Sequence, residues 1–232
     1  FLSFSYPCSC VSEGSSWKRG LTAAAAVSIV AASAIAAIAA PGTGAAEEPD
    51  EGKISLGQRT LIMPAPVWII CSYDSSGRPN AMAASWAGIC SSEPASVTVS
   101  LRESRYSFDG IVARKSFTVN IPSTKFAAEA AYFGTVSGRD IDKFQATGLT
   151  AVAGDLVDAP YIGEFPLVVE CRLTGTYNAG SHVMLIGEIV DVKADKSVLD
   201  GRGLPDMEKI DPVVCSTGNG KFYSVGKSLG SV

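Results

Sequence analysis

A mainly β chain with a few short helices, closed or nearly closed into a small antiparallel barrel, is the fold class that this 232-residue sequence predicts. Three observations carry the expectation. Several segments alternate apolar and polar residues with the period of a half-buried strand, only three segments read as helices, and strands and helices do not alternate as βαβ units require. Strands with one apolar face need a shared core, and closing the sheet removes its exposed edges.

Taken in chain order, residues 1–46 stand apart. An alanine-dominated apolar run at 21–40 follows Lys18-Arg19 and precedes Pro41-Gly42, the arrangement of an export signal, with small residues at Ala37, Ala39, Gly44 and Ala46 suited to cleavage. A membrane anchor and an upstream stretch not made in the cell are the competing readings. Residues 47–232 suffice for one domain, and 47–53 are charged linker. Pro64 and Pro66 lead into a β-prone run at 67–73, closed by a tight turn at 74–77. At 97–102, Val97, Val99 and Leu101 oppose Thr98, Ser100 and Arg102; residues 117–121 repeat the pattern and set Asn120 on a polar face. Further on, Glu170 and Arg172 oppose Val169, Cys171 and Leu173, and Asp191 and Lys193 oppose Val190 and Val192. Short strands are expected at 213–215 and 222–225, and helices at 105–115, 124–134 and 140–147, the last stopped by Gly148.

Composition narrows the function. A net charge of −4 without a basic patch argues against a nucleic-acid partner, because an acidic surface repels a phosphate backbone. The cysteines show no C-x-x-C spacing, which supports neither a zinc knuckle nor a thioredoxin-like dithiol. Cys71 and Cys171 sit in apolar runs and read as small buried hydrophobes, with two disulfides left open by spacing. A single histidine, His182, cannot build a metal site unaided.

The stretch from Asn80 through Met82, Ala83, Ala84, Ser85 and Trp86 to Gly88 is too polar for a core strand, yet has few long side chains to stop a molecule lying on its backbone. Main-chain N–H and C=O groups there could meet the pyrimidine edge of an isoalloxazine, whose donors and acceptors need partners once dry. Ser85 adds a hydroxyl and Trp86 a wall for the rings; the bland reading is an extended surface segment with its tryptophan in the core. Ser100 and Arg102 share a strand face, and Ser104-Arg-Tyr-Ser107 follows at a helix start, where N–H groups, hydroxyls and a guanidinium together can hold a phosphate. Either arginine could instead be a surface ion-pair partner. Asn120 extends that face from a neighbouring strand, and Ser137 to Lys143 is a glycine turn into a short helix. Barrel interiors of this size are filled with side chains, so a cofactor belongs on the rim or between subunits.

These residues carry a resemblance. The segments at 77–88, 99–107, 117–123, 137–144 and 180–188 occur in the order found in the flavin reductase-like FMN-binding split barrels, and the chain from Ile54 onward resembles the flavoredoxin branch in particular. The resemblance implies a Greek-key split-barrel homodimer with one FMN per subunit near the dimer interface. It implies the main chain of Met82 to Trp86 along the isoalloxazine with Ser85 as a donor, and Ser100, Arg102 and Ser107 at the ribityl phosphate. Asn120, Ser137 and Lys143 follow as secondary contacts, and His182 beside the nicotinamide and flavin. One departure is the loop at 162–166, where the family often carries an acidic–cysteine pair before the later strand. A second is the leader, since the family implies a cytoplasmic protein whereas a real signal implies an exported or membrane-associated one.

Three functions are consistent with this reading. The first is an NAD(P)H-dependent flavin reductase in which FMN carries the electron chemistry and the protein fixes distance and stacking, with NADH or NADPH a transient donor because no G-x-G-x-x-G fingerprint follows a strand. The second is a flavoprotein electron carrier reduced by a protein partner. The third is a non-enzymatic flavin- or haem-binding module, because fold does not fix activity.

Overall fold

Two long strands build the centre of the molecule, each long enough to pair on both sides. The computed structural model describes residues 52–230, so the leader expected at 1–46 lies outside the described residues. The elements are β1 (Ala65–Pro66), β2 (Trp68–Tyr73), β3 (Pro79–Ala84), β4 (Ala87–Ser92), β5 (Ala95–Leu101), α1 (Tyr106–Arg114), β6 (Ser116–Ile121), α2 (Ala127–Thr135) and α3 (Lys143–Thr147). After them come β7 (Ala151–Ala153), β8 (Pro160–Ile162), β9 (Leu167–Asn178), β10 (Val183–Ala194), α4 (Met207–Ile210), β11 (Val213–Cys215) and β12 (Phe222–Ser224). The principal sheet has seven strands in the order β3-β2-β6-β9-β10-β5-β4, every pair antiparallel.

That order dictates curvature. Strands β3 and β4 occupy opposite edges of the sheet, yet only Ser85 and Trp86 lie between them in sequence. A flat sheet with six spacings of about 4.8 Å would hold its edges roughly 29 Å apart, whereas three Cα–Cα steps of about 3.8 Å span at most about 11 Å. The sheet is therefore rolled until its edges meet. The edges are not paired with each other as strands, and this gap is the split of the barrel.

Burial follows from the rolling. Val97, Val99 and Leu101 of β5 are buried with Ile70, Phe117 and Leu185 in one cluster. A second cluster packs Ile69 and Cys71 against Phe133 of α2, Phe144 of α3 and Ile162 of β8. Strand β2 feeds both, which is why its sequence is a continuous apolar run and not an alternation. Gly187 lies where β10 shifts register against β9, and a Cβ there would sit 2.4 Å from Phe117 Cζ and 3.1 Å from Cys171 Cβ. Gly187→Ala is expected to destabilise the protein by about 1–3 kcal/mol through overpacking, read by calorimetry as a Tm fall of roughly 2–12 °C.

Two expectations about polar faces need correction. Asn120 is fully buried: its Nδ2 donates to Ile69 O at 3.0 Å and Thr118 Oγ1 at 2.8 Å, and its Oδ1 accepts from Ile162 N at 2.9 Å. Glu170 is equally buried, accepting from the main-chain N–H of Asp155 and Leu156 and from Lys193 Nζ at 2.9 Å. The segment carrying Asp155 to Ile162 covers the polar side of β6 and β9, so period-two alternation recorded polarity there and not exposure. Glu170 and Cys171 are neighbours on β9. Cys71, Cys171 and Cys215 are buried free thiols, and Cys90 is exposed.

Candidate functional site

The rolled edge leaves main-chain groups without a strand partner. In β3, Asn80, Met82 and Ala84 lie in register with Ser72, Ile70 and Trp68 of β2. Ala81 turns its carbonyl away from that pairing, onto Lys143 Nζ at 2.7 Å. In a strand, N–H and C=O groups two residues apart point the same way, so those of Ala83 also face outward, over the groove beside the edge. Lys143 is 4% exposed, donates to Phe133 O at 3.0 Å as well, and lines the groove. Burial, with Arg105's positive charge adding to it, pulls its ammonium down to about 8.

The groove at this edge has a volume of about 450 Å³. Its lining includes Arg102, Arg105, Arg139 and Lys143 and no carboxylate, in a chain whose net charge is −4. Arg102 and Arg105 are exposed, and neither side chain has an ion-pair or hydrogen-bond partner among the described residues. An unpaired cationic cluster without counter-charge attracts a multivalent anion. The start of α1 opens on the same groove, with Ser107 buried and accepting from Asn80 Nδ2 at 2.7 Å. That bond leaves the Ser107 hydroxyl proton free to donate.

The rim is held by a carboxylate behind it. Asp74, 7% exposed, accepts from Ser76, from Arg78 Nε at 3.1 Å and from Tyr106 OH at 2.7 Å. Burial opposes its ionisation, but the hydrogen bonds from Ser76, Tyr106 and the Arg78 N–H outweigh it and hold the carboxyl well below the usual range. Tyr106 is thereby fixed against the turn at 137–139, where Arg139 Nη1 donates to Ser104 O at 3.2 Å. Gly138 is required at this contact: a Cβ would lie 2.1 Å from Asn80 Oδ1 and 2.7 Å from Tyr106 Cδ1. Gly138→Ala is expected to push Asn80 off Ser107 and weaken anion binding by about tenfold or more, a cost on the order of 1–3 kcal/mol, measurable by titration calorimetry.

A second, smaller slot of about 300 Å³ continues the groove through shared Met82, Ala83, Arg102 and Arg105, and ends at Ala84, Ser85, Trp86, Ser100 and His182. Trp86 is 42% exposed, not tucked into the core, and its ring stacks on His182 with centroids 6.5 Å apart and 20° between planes. Ser181 Oγ lies 2.9 Å from His182 Nδ1. Ser100 N donates to Trp86 O at 2.8 Å, tying the barrel's seam to β5, and Ser85 Oγ accepts from Cys215 Sγ at 3.3 Å.

The structure thus brings Asn80, Met82, Ala83, Ala84, Ser85, Trp86, Ser100, Arg102, Ser107, Ser137, Lys143 and His182 to one continuous depression. Asn120 lines neither part of it, its side chain being spent on the interior bonds described above. Arg105, whose guanidinium the sequence already offers to a phosphate, lines the groove together with Tyr106, Gly138 and Arg139. Arg105 carried a signal, since it sits inside the hydroxyl-rich run before α1; the others come to the groove only by folding.

A split barrel with an anion groove and an aromatic slot on its seam is the class that the fold and site define. Residues 59–209 match the flavin reductase like domain, and the chain belongs to that family. It is similar to the flavoredoxin of Desulfovibrio vulgaris (Miyazaki F), with 46% identity, a TM-score of 0.75 and coverage of 77% of this chain and 96% of that one. The flavoredoxin from Methanosarcina acetivorans is 29% identical, with a TM-score of 0.72, over 77% of this chain and 94% of its own. A candidate flavin reductase with a split barrel domain from Shewanella frigidimarina NCIMB 400 is 25% identical at a TM-score of 0.66, over 72% and 85% of the two chains.

Proposed function

We propose that the protein is an FMN-binding oxidoreductase whose bound flavin is reduced by NADH or NADPH. The observation that carries the reading is the carboxylate-free cationic groove joined end to end with a slot walled by Trp86 and His182. The residues present fit FMN. Arg102, Arg105 and the Ser107 hydroxyl suit a dianionic phosphate, Ser100 and Ser137 the ribityl chain, and the outward N–H and C=O of Ala83 a heterocycle edge. Lys143 holds Ala81 and Phe133 in place and offers its remaining proton to the same ligand.

When bound, FMN supplies the two-electron chemistry, and the chain's residues bind and orient. Trp86 shields one side of the slot from water, and His182 presents an imidazole where an incoming reductant would lie. A homodimer agrees with the exposed edge strand β4, whose Ile89 is 79% exposed. Among the described residues no helix is long and apolar enough to cross a membrane.

Similarity to two flavoredoxins favours a second reading, an electron carrier that takes electrons from a redox protein and never oxidises a nicotinamide. An anaerobic absorbance titration of the FMN-loaded protein separates them. Bleaching of the flavin band by NADH or NADPH supports the reductase. A retained flavin that only dithionite reduces supports the carrier, and failure to retain flavin removes the cofactor assignment.

A further inference from the structure

The seam has a second fastening besides the bond from Ser100 N to Trp86 O, and it comes from outside the seven-stranded sheet. Strand β11 belongs to the small sheet β1-β11-β12, where Cys215 stands opposite Ala65. Cys215 is 7% exposed and packs in one cluster with Ala65 and Val67. From there its Sγ reaches Ser85 Oγ at 3.3 Å, across 130 residues of chain. Ser85 lies in the link between β3 and β4, and its hydroxyl has no other hydrogen-bond partner among the described residues. The side chain that lines the slot is thus held from behind by a thiol of a different sheet.

The chemistry of the two groups sets the direction of that bond. A thiol sulfur is a poor acceptor, so a serine O–H gains little by pointing at it, whereas the S–H gains an oxygen acceptor by pointing at Ser85. Pro66 O, the other acceptor near the thiol, is farther away at 4.0 Å. Cys215 therefore donates, and the Ser85 proton is left for another acceptor. In the slot that Ser85 lines, a bound heterocycle would supply one. A serine at 215 would donate and accept equally well and would leave the direction undecided, which is what a thiol at this position prevents.

We propose that Cys215 is a positioning residue: by donating to Ser85 Oγ it makes the Ser85 hydroxyl a one-way donor to the ring edge of the bound flavin, and so favours the reduced ring over the oxidised one. The inference rests on the FMN reading and deepens it by assigning what sets the electron affinity of the site. Two-electron reduction adds electron density to the nitrogen and oxygen acceptors of the ring, and a hydrogen bond to a charged acceptor is roughly twice as strong as one to a neutral acceptor. A donor held in place binds reduced FMN more tightly than oxidised FMN. A serine free to turn away does so less.

The test is a spectroelectrochemical titration of the FMN-loaded protein, which reads the potential of the bound flavin without a nicotinamide or a partner protein. Cys215→Ala and Cys215→Val both remove the donor, the first underfilling its place and the second overfilling it. Both should lower the preference for reduced over oxidised FMN by about 3–10-fold, a potential about 15–30 mV more negative, even where their melting temperatures differ. Cys215→Ser keeps a donor and should recover part of the shift. In a Ser85→Ala background neither Cys215→Ala nor Cys215→Val should move the potential further. An unchanged potential in Cys215→Ala and Cys215→Val, or a shift that persists in full without the Ser85 hydroxyl, overturns this inference and leaves the FMN reading standing. A wild-type protein that retains no FMN overturns both.

Discussion

Replacing Arg102 and Arg105 together by alanine is expected to raise the dissociation constant for FMN by about 10²–10⁴-fold. Neither guanidinium has a partner among the described residues, the groove they line has no carboxylate, and a hydrogen bond from a charged group contributes about 1.5–3 kcal/mol, so two give the stated range. The apo protein should melt within about 0.5 kcal/mol of wild type, because exposed side chains without partners contribute little to folding. Calorimetric titration with FMN, paired with a melting curve of each apo protein, measures both. Equal affinities would mean that the phosphate does not lie in this groove.

Lys143 is expected to give the largest pH effect, and the effect has opposite signs for binding and for folding. Its ammonium titrates at about 8 in the native protein, against an ordinary value of 10.5. Below 8 it is charged and favours a phosphate-bearing ligand; FMN affinity should therefore fall as pH rises through 8. For the apo protein the unfolded chain holds this proton more tightly than the native one. Between about 8 and 10.5 the unfolded state is then the more protonated, and the Lys143 contribution to stability rises with pH. Both trends should vanish in Lys143→Gln, which keeps hydrogen-bond donors for the Ala81 and Phe133 carbonyls. Loss of the donors altogether, in Lys143→Met, should cost about 1–3 kcal/mol for the carbonyls left unpaired.

Most of the strands were legible because alternation is a local signal: Val97, Val99 and Leu101 are buried as their spacing predicts, and helix α3 stops at Gly148 in the left-handed region. The strand character of β3 and β4 was not, since small and polar residues at Asn80 to Gly88 describe an edge as readily as a loop. What makes them strands is the sheet beside them, with β3 zipped onto β2 and β4 onto β5. The site divides the same way. Residues near one another in sequence, such as Met82 to Trp86 or Arg102 to Ser107, could be grouped from their chemistry. The interior position of Asn120 depends on β8 arriving from forty residues away, and the anchoring of Tyr106 by Asp74 depends on α1 packing against the turn after β2. Neither contact leaves a trace in local composition.

The seam at Ser85 and Trp86 makes the barrel a ring fastened by a clasp. Six strand pairings hold the rest of the circle, but the two edge strands are not paired across the gap and are joined by the link at Ser85 and Trp86, which a bond from Ser100 N to Trp86 O ties to β5. Opening there breaks few contacts, so amide exchange in the empty protein should be fastest along the free edges of β3 and β4. A ligand seated along Ala83 and against Trp86 would occupy the position of the absent pairing and work as an eighth strand that comes and goes. Occupancy would then be registered across the whole ring, as a slowing of exchange on both sides of the gap.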